Sequence, residues 1–132
     1  MVVNSYNYND WINKAKNDLL AAEAILKYYE DPPADAICYH CHQTVEKVLK
    51  ACLLYHKDTL PCVHDLVGLL NLCIKHNKKL KILKEKAEIL NKYYIEAKYP
   101  LDNPIIYSKN EARQAKKLAG DIFAEIVNMI RK

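Results

Sequence analysis

Apolar residues recur at steps of three and four along nearly the whole chain, and the runs break at prolines and short polar stretches. That spacing puts the apolar side chains on one face of a helix. The first run covers about Asp10 to Tyr29, with Trp11, Ala15, Leu19, Ala22, Leu26 and Tyr29 inward, Asn9 or Asp10 as cap, and Asp31-Pro32-Pro33 as stop. A second helix is expected from about Pro33 to His56, capped by Asp31, with Ile37, Cys41, Thr44, Val45, Val48, Cys52 and Tyr55 inward. A third, shorter one covers about His64 to His76, with Leu66, Leu69, Leu70 and Cys73 inward. The fourth runs from about Lys79 to Tyr99, carries Ile82, Leu83, Ile89, Leu90, Tyr93, Tyr94 and Ala97, and ends at Pro100. Ser108-x-x-Glu111 reads as a capping box for a fifth helix to about Arg131, which buries Ala112, Ala115, Ala119, Ile122, Ile126 and Met129/Ile130. Four long helices and one short one predict an all-α fold: an antiparallel up-and-down four-helix bundle with one additional short helix. Residues 1–132 form one expected domain with its core over about 10–131, since 132 residues leave no room for a second core.

Composition sharpens this. Only two glycines, Gly68 and Gly120, occur, too few for a sheet with tight hairpins. The net charge of +4 permits an anionic partner without demanding one. Five cysteines, an odd number, with a polar stretch from Met1 to Asp10 in place of a secretory segment, predict reduced thiols and a cytoplasmic location. No apolar run approaches the roughly 20 residues that cross a bilayer.

Three segments carry a resemblance. Gln43-Thr44-Val45-Glu46-Lys47-Val48-Leu49-Lys50-Ala51 is similar to a Q-x-x-E-K-x-L-K-A helix. Pro61-Cys62-Val63-His64-Asp65-Leu66, followed by Leu69-Leu70, is similar to an H-D-L-x-x-L-L segment. Tyr94-Ile95-Glu96-Ala97-Lys98-Tyr99-Pro100 is similar to a Y-x-x-A-R-Y-P stretch. Together, in this order and spacing, they resemble HEPN domains, the helical partners of minimal nucleotidyltransferases, over nearly the whole chain. The resemblance implies a four-helix core with a short extra helix, pairing as a homodimer, nucleotide binding, and toxin–antitoxin partnership with a separate nucleotidyltransferase. RNA-cleaving branches of the family carry an Arg and a His with four to six residues between them. Here Lys98 stands at the arginine position, and Asn103, Pro104 and Ile105 where the His would fall. Arg113 and Arg131 have no His downstream. Without a guanidinium clamp or an acid/base group there, no catalytic residue is assigned.

The residues themselves admit two readings at each candidate position. Gln43, Glu46, Lys47 and Lys50 occupy successive turns of the second helix, where the lysines can meet a phosphate and Gln43 a base edge. Equally, Glu46–Lys50 can be an ordinary i,i+4 ion pair. Lys98 can hold a phosphate while Tyr94 and Tyr99 stack on a base. Alternatively, Tyr94 fills core and Lys98 complements a helix C-terminus. Asp65 reads as a cap for the third helix, and His64 as a bridge from its start to a neighbouring element. Cys38, His40, Cys41 and His42, with Cys62 and His64, invite a zinc reading, but Cys41 and Cys52 fall on the buried stripe, where a free cysteine acts as a small hydrophobe, so neither metal nor cofactor is expected. The lysine run Lys75, Lys78, Lys79, Lys81, Lys84 and Lys86 reads as a solvated face or as a patch that steers RNA or an acidic partner, with no aromatic residue interleaved.

The expected function is therefore a non-catalytic, nucleotide-binding accessory domain whose tentative site comprises Gln43, Glu46, Lys47, Lys50, Tyr94, Lys98 and Tyr99. Expected partners are a second copy, a separate nucleotidyltransferase, and a nucleotide or RNA, with no membrane. An RNA-cleaving toxin with a non-standard site, and a ligand-free dimerisation module, are the alternatives.

Overall fold

The computed structural model describes residues 4–96, 100, 102 and 106–132, with nothing drawn from the side chains of Ile95 and Glu96. Its elements are α1 (Tyr8–Tyr28), α2 (Ala34–Tyr55), α3 (Leu66–Ile74), a 3-10 turn (Lys78–Leu83), α4 (Lys84–Asn91), α5 (Tyr93–Glu96) and α6 (Lys109–Ile130). Among the described residues there is no strand.

The first helix starts earlier than its apolar pattern suggests. Asn7, rather than Asn9 or Asp10, is the cap, and its side chain accepts from the Asn9 amide at 3.0 Å. Ile12 is buried, whereas Tyr29, expected inward, is the exposed C-cap residue. Asp31 does not cap α2. Its N-cap is Pro33, whose carbonyl accepts from the Ala36 and Ile37 amides.

Packing explains why α2 is the axis of the fold. It touches α1, α3, α4, α5 and α6. From Ile37 to Leu54 it is buried on nearly every side, as a helix at the centre of a bundle must be. On α6, the small residues Ala112, Ala115 and Ala119 face inward and let the two helices approach closely. Tyr8 of α1 rests on Tyr55 at the far end of α2, so α1 and α2 are antiparallel. Lys109 reaches the Glu30 carbonyl at one end of the bundle and Asn77 meets Met129 at the other, so α6 runs alongside α2. Up, down, up, down is thus traced by α1, α2, α4 and α6, with α3 as the additional short helix.

Ser108 and Glu111 form the expected capping box, each side chain bonded to the other's backbone amide. Asp65 caps α3 by accepting from the Val67 amide at 3.1 Å. The fourth helix departs from expectation. It opens as a 3-10 turn, where side chains three apart share a face, so Leu80 and Leu83 are buried and Ile82, expected inward, is 69% exposed. It also breaks at Lys92. The preceding Asn91 donates to Asp65 and accepts from the Leu66 amide at 2.8 Å, spending its side chain on the start of α3.

The end of α2 closes with a Schellman motif. Asp58 donates its amide to the Leu53 carbonyl and Lys57 its amide to the Leu54 carbonyl, both at 2.9 Å. Lys57 therefore sits at φ 61°, the left-handed region that suits glycine. A Lys57→Gly chain is expected to gain about 0.5–1 kcal/mol, the steric relief of about 1–2 kcal/mol being partly offset by a freer unfolded chain. A urea midpoint unchanged or lower than the parent's would contradict this.

Candidate functional site

Burial turns the polar side of α2 into something other than a surface. Glu46 is 4% exposed and Lys50 6%. Their i,i+4 pair exists, with Lys50 Nζ 3.0 Å from Glu46 Oε2, but it lies inside the protein, where water cannot replace it. The other carboxylate oxygen, Oε1, is 2.9 Å from His64 Nδ1. Lys50 also stands 5.8 Å over the Trp11 ring centre, so its charge faces a carboxylate and an aromatic face together.

His64 thus bridges the start of α3 to α2, the role its position suggested. About half of its side chain is exposed. Tyr94 of α5 lies flat against it, with ring centres 4.5 Å apart and planes 12° apart. On Tyr94's other neighbour, His42 of α2, the rings are 5.4 Å apart and tilted by 36°. The middle of the second helix and the tail of the fourth are therefore in contact. Asn91, bonded to the start of α3, stands just before Tyr93 and Tyr94 in the chain.

His42 is completely buried, and neither ring nitrogen has a hydrogen-bond partner among the described residues. Its Nδ1 is 3.9 Å from Glu46 Oε1, too far for a hydrogen bond. Burial pushes its imidazole down to about 4, against the pull of the Glu46 carboxylate, so it is neutral at pH 7.

A second polar group lies on the α1 side of α2. Asp18 accepts from Lys47 Nζ at 2.6 Å and pairs with His40 Nδ1 at 2.9 Å. The predicted positions are thereby divided. Glu46, Lys50 and Tyr94 meet around His42 and His64, while Lys47 turns to α1. Gln43 is half-buried and makes no hydrogen bond among the described residues. Lys98 and Tyr99, and the motif positions Asn103, Pro104 and Ile105, lie outside the described residues.

Sequence reasoning set His42 and His64 apart from the ligand positions. A single signal could have joined His42 to them: His42, Glu46 and Lys50 are four residues apart in turn and so share one edge of a helix, whereas His64 comes from another element. What could not be read was that this edge is covered. The cysteines remain core material. Cys38, Cys41, Cys52 and Cys73 are buried thiols and Cys62 is exposed, all unpaired. Burial pushes the Cys38 thiol up to about 12 and raises Cys41 as well, the opposite of what a reactive thiol requires. No group of three or more His, Cys, Asp or Glu suited to a metal occurs among the described residues.

A helical bundle with a partly buried charged cluster on its central helix is the class defined so far. The family model of the HEPN domain matches residues 8–130, and the chain belongs to that family. The crystal structure of TT1696 from Thermus thermophilus superposes with a TM-score of 0.80 at 27% identity, covering 92% of this chain and 96% of that one. ST0689, described as an archaeal HEPN homologue, shares the fold with a TM-score of 0.73 at 22% identity, covering 94% and 98%. No protein of curated function matches the sequence.

Proposed function

We propose that this chain is a non-catalytic HEPN domain that binds a nucleotide and serves, as a homodimer, a separate nucleotidyltransferase in a toxin–antitoxin pair in the cytoplasm. The observation that carries this reading is the His64–Tyr94 stack. Glu46 pins the imidazole from behind, Tyr94 backs it, and half of the side chain stays open as a flat surface on which a base can stack. In this reading Lys98, four residues after Tyr94 in the sequence and next to Tyr99, supplies charge for a phosphate, and Gln43 lies one turn before Glu46 on α2, while Lys47 is held by Asp18. Leu20 (51% exposed) and Tyr28 (81%) lie two turns apart on α1 and provide apolar surface for a second copy. No helix among the described residues is long and apolar enough to cross a membrane, and the unpaired cysteines fit a reducing compartment.

The test has two arms. Tagged protein is used to capture a nucleotidyltransferase from its native cells, and titration calorimetry measures nucleoside triphosphate binding to the parent chain and to His64→Ala. Binding that is lost in His64→Ala supports the site. If no nucleotidyltransferase is captured and no heat appears on titration, the proposal fails and a plain dimerisation module remains.

One observation favours a second reading. With Nδ1 on Glu46, His64 directs its other nitrogen away from the carboxylate, the arrangement of an imidazole held for proton transfer. RNA cleavage by the pure protein, lost in His64→Ala, would establish an enzyme. RNA left intact removes that reading.

A further inference from the structure

The lysine run that begins at Lys75 has no ring within it, yet the fold carries rings to it. At the end of the bundle where α2, α3 and α6 finish and α1 begins, Tyr8 meets Tyr55 edge-on at 5.4 Å, and Tyr55 meets His56 edge-on at 5.1 Å. His56 then lies flat on His76, with ring centres 4.4 Å apart and planes within 5°. Asp58, placed by the Schellman turn, accepts from His76 Nε2 at 2.8 Å and fixes the row. Tyr55 is 37% exposed and nearby Tyr6 in the chain 74%.

Cations collect at the same end. Lys57 follows α2, Lys75, Lys78 and Lys79 follow α3, and Arg131 and Lys132 follow α6. None of these makes an ion pair among the described residues, whereas Lys47, Lys50, Lys86, Lys116 and Lys117 elsewhere do. The acids against them are Asp58, already engaged by His76, and Glu125. A hollow of about 460 Å³ lies between the turn after α3 and the end of α6, lined by Asn77, Lys79, Asn128 and Arg131 among others.

Three helix C-termini converge here, and their carbonyl ends favour nearby cations. That accounts for Lys57, Lys75 and Arg131, each at or just past a helix end. It accounts neither for Lys78, Lys79 and Lys132, which lie beyond the last turns, nor for the rings. Unpaired cations beside exposed aromatic rings are the combination that grips a single strand, through phosphates and base faces together. An acidic membrane or acidic protein would use the cations and leave the rings idle, and a duplex hides its base faces.

We propose that this end of the bundle binds single-stranded nucleic acid, with phosphates on Lys75, Lys79 and Arg131 and a base on Tyr55. The surface shares no residue with the His64 cluster and does not rest on the nucleotide reading of it. Either can fail alone.

The experiment is fluorescence anisotropy of labelled oligouridylate and oligothymidylate with the whole chain across a salt series. The parent is expected to bind, with log affinity falling linearly in log salt. Lys75→Glu/Lys79→Glu should weaken binding by about tenfold or more and reduce the salt slope by about 1.4, two contacts at roughly 0.7 each. Tyr55→Leu should weaken it about fivefold with the slope unchanged. Both lysines are exposed and unpaired, so the fold should survive; Lys75→Gln/Lys79→Gln replaces the reversal if thermal melts show otherwise. Binding of either strand or both supports the proposal, and their ratio measures any 2′-hydroxyl contact. Absence of binding at low salt, equal affinity for duplex, or an oligonucleotide affinity unchanged in Tyr55→Leu would overturn it.

Discussion

Glu46→Ala should unfold in urea with about 3–5 kcal/mol less stability than the parent chain, the largest loss expected from any single polar substitution here. Lys50 is 6% exposed, and Glu46 is the partner that neutralises it at 3.0 Å. Without the carboxylate, an ammonium is left inside the bundle, and His64 loses the acceptor that ties the start of α3 to α2. The same pair on a surface would be worth a few tenths of a kcal/mol, so the size of the loss reports burial. A combined Glu46→Leu/Lys50→Met chain should regain most of the stability, because removing both charges abolishes the desolvation cost along with the attraction. Equal losses in the single and the combined variants would show that packing, rather than charge, holds this region together.

Acid should destabilise the fold through His42. Its folded-state value of about 4 lies below the ordinary 6.5, because burial disfavours the imidazolium. Between those two values the unfolded chain binds a proton that the folded chain refuses. The contribution is therefore fully present above about pH 6.5 and is lost progressively as pH falls toward 4, for a total of about 3 kcal/mol. His42→Leu removes that part of the pH dependence. At pH 7 it should also cost little or even stabilise, since the imidazole makes no hydrogen bond among the described residues and leucine asks for none. Urea melts of both chains from pH 7 to pH 4 check the prediction, and parallel pH profiles for parent and variant would refute it.

How much could be read in advance varies along the chain. The α6 helix was fully legible: the capping box at Ser108–Glu111 and the inward set Ala112 to Ile130 follow from local chemistry and a clean 3.6-residue period. The stop at Asp31-Pro32-Pro33 and the Asp65 cap were legible for the same reason. The fourth element was not. Its apolar residues fit an α period nearly as well as a three-residue one, so Ile82 appeared inward, and the break at Lys92 follows from a bond between Asn91 and a helix start 25 residues earlier. The family was legible from three motifs, since a motif is a local string.

The candidate site divides along the same line. That Gln43, Glu46, Lys47 and Lys50 share a region of one helix is a matter of 3.6 residues per turn, and no partner is needed to know it. Whether that region meets water depends on what packs over it, and α1, α3 and α5 together cover it. Likewise, the number of lysines after α3 is written in the chain, while the rings beside them come from the ends of α1 and α2, which only the folded bundle brings near. Periodicity and capping are short-range, and the sequence alone determined the family and most of the helices with their inward faces, the fourth element excepted. Burial, the solvation of a charge and the partner of a histidine are long-range, and only the tertiary structure decided that an ordinary-looking ion pair is the buried centre of this protein.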